Sequence, residues 1–202
     1  MSGERVKVAI VGCGQWGLNH VRTATKVFAE DFVALCEPSA ERLEKARAIA
    51  PNVEVLTFEA LLERKEISAV IVATPAATHY AIAKQLLLAG KDVLVEKPLT
   101  LFPQEAEELI ALAKRQQRLL MVGHVLLFHP AIRAIKELIT QGRLGRLQYI
   151  SSNRLNLGSI RREENILWSF APHDISVLQY LIGSEPIEVD AKGGVFATQR
   201  IS

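Results

Sequence analysis

The stretch "VAIVGCGQWGLNH", residues 8–20, governs how the rest of the chain is read. Val8–Val11 is an apolar run of the length of a buried strand, and Gly12, Gly14 and Gly17 follow it in the spacing GxGxxG. That spacing is weak by itself and becomes informative when a strand precedes it and a helix follows. Gly12 permits a tight turn, Gly14 lets backbone approach a pyrophosphate, and Gly17 allows the helix to pack close to the strand. The first N–H groups of that helix, with Gln15 and Trp16 beside them, then face an anion. Gly12, Gly14, Gln15, Trp16 and Gly17 are therefore expected to bind a dinucleotide.

Outward from this loop, apolar runs alternate with helical patterns. Strands are expected at Val6–Val11, Phe32–Cys36, Val53–Val55, Ala69–Ala73, Asp92–Val95 and Leu119–Val122. The intervening "PSAERLEKARAIA", "HYAIAKQLLLAG" and "LFPQEAEELIALAKRQQ" have helical periodicity, the second closed by Gly90 and the third opened by Pro103. Strand–helix alternation predicts an α/β fold, a Rossmann-type doubly wound parallel sheet over residues 1–122. From residue 123 to 202 the rhythm changes. "HPAIRAIKELITQG" and "PHDISVLQYLIG", the latter opened by Pro172, read as helices, while "LQYISSNRLNL" and "IEVDAKGGVFA" read as strands. This reads as a partial α+β second domain with an open sheet edge.

The chain has 202 residues, 49% apolar and 23% charged, with a net charge of +2. This is the profile of a soluble globular protein and argues against a nucleic-acid partner, which would call for a concentrated basic face. Cys13 and Cys36 have neither a secreted disulfide pattern nor metal-ligand spacing, so no metal is expected. "MSGERVK" does not resemble a signal peptide and no run has the length of a membrane span, so the expected location is cytoplasmic.

Three further strand ends carry candidate residues. Glu37 lies twenty residues past Gly17, where a carboxylate accepts from a ribose hydroxyl and repels a 2′-phosphate. NAD is favoured over NADP on that account, although Arg42 keeps NADP open; the bland alternative for Glu37 is a solvated loop acid. In "IVATPAATHYA", Thr74 and Pro75 lie where ligands collect, and His79 is either a cofactor contact or a helix-start residue on a solvated face. In "VLVEKPL", a buried strand ends in Glu96, Lys97 and Pro98. Pro98 bars Lys97 from helical backbone angles and so fixes its direction, and a bond before proline admits the cis form. The alternative is an ordinary surface lysine at a strand end.

"GCGQWGLNH", "ATPAATHYAIA" and "VEKPL", in that order and spacing, resemble the Gfo/Idh/MocA family of nicotinamide-dependent sugar oxidoreductases. The segment "NRLNLGSIRREENILWSFAPHDISVLQYLIG" is similar to members acting on nucleotide-linked sugars, such as the UDP-N-acetyl sugar 3-dehydrogenases. Family members run longer, so the chain is expected to be truncated in its second domain. The resemblance implies that Lys97 lies beside the nicotinamide and the sugar hydroxyl; Glu96, from its place at the strand end, is expected to anchor the local structure. It implies that His173 is the partner base, expected in the first turn of its helix, where the dipole disfavours an imidazolium. Many members carry an aspartate four residues before this histidine; here that position is Ser169.

Arg154, Arg161 and Arg162 are candidates to clamp a substrate diphosphate or a sugar carboxylate, or are ordinary solvated arginines. Asn156 and Trp168 are pocket candidates on the same reasoning. His124 is expected near the cofactor, and His129, before Pro130, is read as structural. The implied activity is hydride transfer from a secondary alcohol of a sugar to NAD, with Lys97 and His173 as catalytic residues. Substrate contacts are expected from Lys97, Arg154, Asn156, Arg161, Trp168, Ser169 and His173. A non-catalytic NAD-binding remnant or sensor, and a polyol or inositol dehydrogenase, stay open, and a homo-oligomer is expected from the family's habit of pairing second-domain sheets.

Overall fold

In the computed structural model of the chain, residues 5–155 and 166–194 are described, and they fall into two units, Met1–Gly123 and His124–Ser202. The first unit contains six strands: β1 (Lys7–Val11), β2 (Phe32–Cys36), β3 (Glu54–Val55), β4 (Ile67–Val72), β5 (Asp92–Val95) and β6 (Leu120–Val122). They form one parallel sheet in the order β3-β2-β1-β4-β5-β6. The order reverses between β1 and β4, which opens a crevice at their carboxyl ends. The strands expected from the apolar runs are thus present, with ends displaced by at most a residue or two.

Helices α1 (Gln15–Val27), α2 (Ala40–Ile49), α3 (Phe58–Glu63), α4 (His79–Leu88) and α5 (Pro103–Gln116) connect them. Strand alternation distributes the core over both faces of the sheet. Ile10 and Leu35 pack with Val21, Ala24 and Ala46 of α1 and α2. Ala9, Val11, Val70 and Val72 pack with Leu61, Leu86, Leu87, Leu109 and Leu112 of α3, α4 and α5. Central parallel strands covered on both faces are continuously apolar for this reason.

One buried charge falls outside that pattern. Lys91 is 2% exposed, and its Nζ donates to the carbonyls of Arg64 and Ile67 at 2.8 and 2.9 Å. Burial holds this amine below its usual range. It joins the entry of β4 to the entry of β5.

In the second unit, α6 (Pro130–Thr140) and α7 (Ile166–Ile182) form. His129 is structural as expected, because its Nδ1 accepts from Ala131 N–H and caps α6. Two expectations are corrected. The segments 147–155 and 187–194 carry no strand among the described residues, and Tyr149, Leu155 and Ile187 are largely exposed. An alternating pattern becomes a strand only when a partner completes its ladder. Helix α7 is described from Ile166, so Pro172 lies inside it rather than at its start. Proline has no N–H, so the ring occupies a helix position that donates no backbone bond. Among the described residues, no helix is long and apolar enough to cross a membrane.

Lys91→Met is expected to lower unfolding stability by about 2 kcal/mol, because the Ile67 and Arg64 carbonyls lose the Nζ donor, Arg64 O keeping its longer bond from Ile67 N–H. Urea titration of both proteins measures it, and an unchanged midpoint would contradict the assignment.

Candidate functional site

The strand ends of the first unit are in register. Val11 pairs with Cys36 and Val72, Val72 with Val95, and Val95 with Val122. The ladder continues one rung further, through Gly12 N–H to Cys36 O, Ala73 N–H to Val11 O, Glu96 N–H to Val72 O and Gly123 N–H to Val95 O, all at 2.8–2.9 Å. Gly12, Glu37, Ala73, Glu96 and Gly123 consequently line one edge of the sheet.

The glycines of the loop have different surroundings. Gly12 has φ of +93°, and a Cβ there would meet Ala73 O at 2.7 Å. A Cβ on Gly17 would meet Gly12 O at 2.1 Å. These two positions close the turn against β4 and α1 against the turn. A Cβ on Gly14 would meet nothing within 4 Å, so the loop is open on that side, at the N-terminus of α1. Open backbone amides at a helix start suit a phosphate.

Glu37 is buried, which removes its reading as a solvated loop acid. Cys13 N–H donates to its Oε2 at 2.7 Å and Ser39 N–H to its Oε1 at 2.9 Å, while Arg42 Nε reaches Oε1 at 3.0 Å. The carboxylate therefore braces the glycine loop from β2 and engages the guanidinium that kept NADP open. Burial, then the charges of Glu37 and Cys36, push the Cys13 thiol up to about 12. Burial, then Glu59 and Glu37, push the Cys36 thiol up to about 11. Neither is a nucleophile near neutral pH.

Glu96 is the hub of the edge. Its Oε1 accepts from Trp16 Nε1 and, at 2.7 Å, from His20 Nε2, and its Oε2 accepts from Lys97 N–H at 3.2 Å. A carboxylate only accepts, so the Nε2 of His20 carries a proton. Burial alone would raise the Glu96 carboxyl. The hydrogen bond and charge of His20, with the bonds from Trp16 and Lys97, outweigh it and hold the pKa below the usual range. A Cβ on Gly123 would press on this carboxylate at 3.0–3.1 Å. His20 is absent from the residues expected to act; its spacing of four from Trp16 was the available signal, since that puts both on one face of α1.

The loop after β4 is tied internally by Thr78 Oγ1, 2.7 Å from both Thr74 Oγ1 and Pro75 O. Thr74 is half-buried and Pro75 exposed. His79 does open α4, but at 1% exposure it is not on a solvated face. Its Nδ1 lies 2.7 Å from Pro98 O and its Nε2 2.9 Å from Thr74 O. The Lys97–Pro98 peptide is cis, and Lys97 itself is half-buried.

In the second unit, Ser169 is buried, with Trp168 and His173 half-buried beside it on α7. Ser169 and His173 are four apart and share a helical face. Because α7 is described from Ile166, His173 lies past its first turn, and the dipole argument for a neutral imidazole does not apply. Arg154 is exposed, as the solvated reading expects, and is ion-paired as well. Its Nε donates to Asp174 Oδ2 at 2.6 Å, and Ser152 Oγ donates to Asp174 Oδ1 at 3.0 Å. Asn156, Arg161 and Arg162 lie outside the described residues. Among the described residues, no cluster of His, Cys, Asp or Glu could hold a metal ion.

A doubly wound parallel sheet with a glycine loop at its reversal point defines the dinucleotide-binding class. Residues 6–124 match the family model described as "Oxidoreductase family, NAD-binding Rossmann fold", and residues 132–201 match the "GFO/IDH/MocA C-terminal domain". The chain belongs to the Gfo/Idh/MocA family of oxidoreductases, and its first unit is an NAD-binding Rossmann unit. It is 29% identical to UDP-N-acetylglucosamine 3-dehydrogenase of Acidithiobacillus ferrooxidans, over 96% of this chain and 60% of that protein. The solved structure of that enzyme superimposes with a TM-score of 0.82 at 28% identity, again over 96% and 60% of the two chains. Inositol 2-dehydrogenase of Rhizobium meliloti is 26% identical over 97% of this chain and 61% of its own. The chain thus spans about 60% of the length of the relatives it matches.

Glu96 has a folded pKa below its unfolded value, so its contribution to stability is full above the ordinary carboxylate range. That contribution is lost as pH falls through the lowered pKa. Glu96→Gln is expected to be less stable than the wild type at neutral pH and to show a shallower loss on acidification. Denaturant titrations between pH 7 and 3 measure this, and parallel curves would refute it.

Proposed function

We propose that this chain is an NAD-dependent dehydrogenase that oxidises a secondary alcohol of a nucleotide-linked sugar. The observation that carries the reading is the Glu96 carboxylate. It joins helix α1, which opens at the glycine loop, to the backbone of Lys97. A lysine held at the carboxyl edge of a dinucleotide-binding sheet suits a role in the reaction better than a surface role.

The residues fit the cofactor. Gly14 leaves room for a pyrophosphate at the start of α1. Glu37 Oε2 accepts from Cys13 N–H and, with a second lone pair, retains capacity for a ribose hydroxyl. Its charge disfavours a 2′-phosphate, hence NAD rather than NADP. Gln15, Trp16, Thr74, Pro75, Glu96 and Lys97 complete the proposed cofactor set. NAD, when bound, supplies the hydride acceptor.

Lys97 donates a hydrogen bond to the hydroxyl oxygen and stabilises the alkoxide as it develops. His173 takes the hydroxyl proton as general base. Ser169 supplies a hydrogen bond to a substrate hydroxyl in place of a carboxylate, and Trp168 offers an apolar wall. Asn156 and Arg161 complete the proposed substrate set, and Arg154 joins it by exchanging Asp174 for a substrate anion. The likeness to UDP-N-acetylglucosamine 3-dehydrogenase supports the nucleotide-sugar class. The likeness to inositol 2-dehydrogenase supports a polyol as the second reading. We place the activity in the cytoplasm and in a homo-oligomer; the exposed apolar side chains Ile175 and Ile182 of α7 support association, which light scattering tests.

Calorimetry with NAD, followed by turnover on a panel of UDP-sugars and inositols, tests the reading. Lys97→Ala is expected to lower turnover by about 100-fold or more, well beyond any loss of NAD affinity from its place in the cofactor set. Binding of NAD without turnover on any substrate would leave a cofactor-binding protein and remove the dehydrogenase. Glu37→Ala is expected to weaken NAD about tenfold, the worth of a hydrogen bond to a charged group, and to narrow the gap to NADP. Equal affinity of the wild type for both cofactors would refute the selective role of Glu37.

A further inference from the structure

Lys97 is held on its N-terminal side by Glu96, and its C-terminal side has a separate anchor. The Pro98 carbonyl, one residue past the lysine, accepts from the buried His79 ring at 2.7 Å. The opposite ring nitrogen reaches Thr74 O at 2.9 Å, at the exit of β4. Carbonyl oxygens only accept, so a neutral ring, with one N–H, donates to one of the two and holds the other within reach. The ring therefore spans two loops of the carboxyl edge, one bearing Thr74 and Pro75 and the other bearing Lys97. His79 is itself fixed as the first residue of α4, whose Ala83, Leu86 and Leu87 are buried in the core.

We propose that His79 is a positioning residue for Lys97, acting through the hydrogen bond from Nδ1–H to Pro98 O rather than by contact with NAD. The inference rests on the reading of Lys97 as the lysine that meets the substrate. Displacement of a reacting group by an ångström is costly in rate, so a buried donor clamping the next carbonyl has a direct effect on catalysis. A donor on the rigid start of a helix serves this better than one on a loop. Glu96 and His79 then hold the lysine from elements on opposite faces of the sheet, α1 and α4.

Two variants separate the two bonds. Asparagine places its amide near the position of Nδ1 and retains a donor toward Pro98 O; glutamine reaches the position of Nε2 and retains a donor toward Thr74 O. The readout is the rate at which the Lys97 amine is acylated in the cofactor-free chain, measured by mass spectrometry against Lys45 and Lys84 as internal references. His79→Gln is expected to raise Lys97 labelling about fivefold, the factor one lost hydrogen bond gives to a local opening. His79→Asn is expected to stay near the wild-type rate. Equal labelling in both variants, raised or not, would overturn the proposal, since a filler of the core makes no distinction between them.

A measurement on the wild type covers the case in which either variant fails to fold. A long-range proton–nitrogen spectrum of the His79 ring is expected to show a proton on Nδ1. A ring protonated on Nε2 alone would sink the idea. Neither readout needs the cofactor. A wild type that binds no NAD would therefore remove the dehydrogenase reading while leaving the His79 result to stand or fall separately.

Discussion

Parallel strands that end on the same rung are the constraint on which this molecule depends. Val11, Cys36, Val72, Val95 and Val122 are laddered together, so each following residue emerges at one level of one edge. Slipping a strand by one residue would turn its core side chains to the other face and move its terminal residue off that line. The apolar face on each side forbids the slip, because Ala9 and Val11 belong to one core and Ile10 to the other. Packing of aliphatic side chains deep in the sheet thereby sets where Gly12, Glu37 and Glu96 lie.

Polar groups on that edge are in turn mutually fixed. Glu37 and Glu96 are both buried carboxylates, and each is stabilised by N–H donors from neighbouring segments. Burying a charge without such partners is costly, so these donors are a condition of the fold as well as a feature of the site. Glu37 braces the glycine loop from β2. Glu96 braces α1 from β5 through Trp16 and His20. His79 links the loops after β4 and β5. The edge is held by its own hydrogen bonds before any ligand arrives, which is the preorganisation an electrostatic role for Lys97 requires.

Much of this was legible in the residues. The runs that became β1, β2, β4 and β5 are short, apolar and bounded by turn residues, and the glycine spacing announced the crevice. The second unit was legible for its helices and misleading for its strands. "LQYISSNRLNL" alternates, yet no strand forms in its described part, residues 147–155, because alternation states which side chains would share a face and not which segment would pair. Pro172 misled in a similar way. Proline is common at the first turn of a helix, but the apolar residues before it continue α7 upstream. The helix accommodates a residue with no N–H, and the dipole argument attached to His173 goes with the misplaced boundary.

Local chemistry in the chain determined the Rossmann architecture, the phosphate loop and the type of residue at each strand end. Periodicity, glycine conformational freedom and proline geometry act over a few residues and can be read along a line. Tertiary structure alone decided which of those residues meet. The spans from His20 to Glu96, from His79 to Pro98 and from Arg154 to Asp174 join positions 76, 19 and 20 residues apart. Such hydrogen bonds have ångström tolerance and no sequence period. They exist only once packed helices and a registered sheet have brought donor and acceptor together.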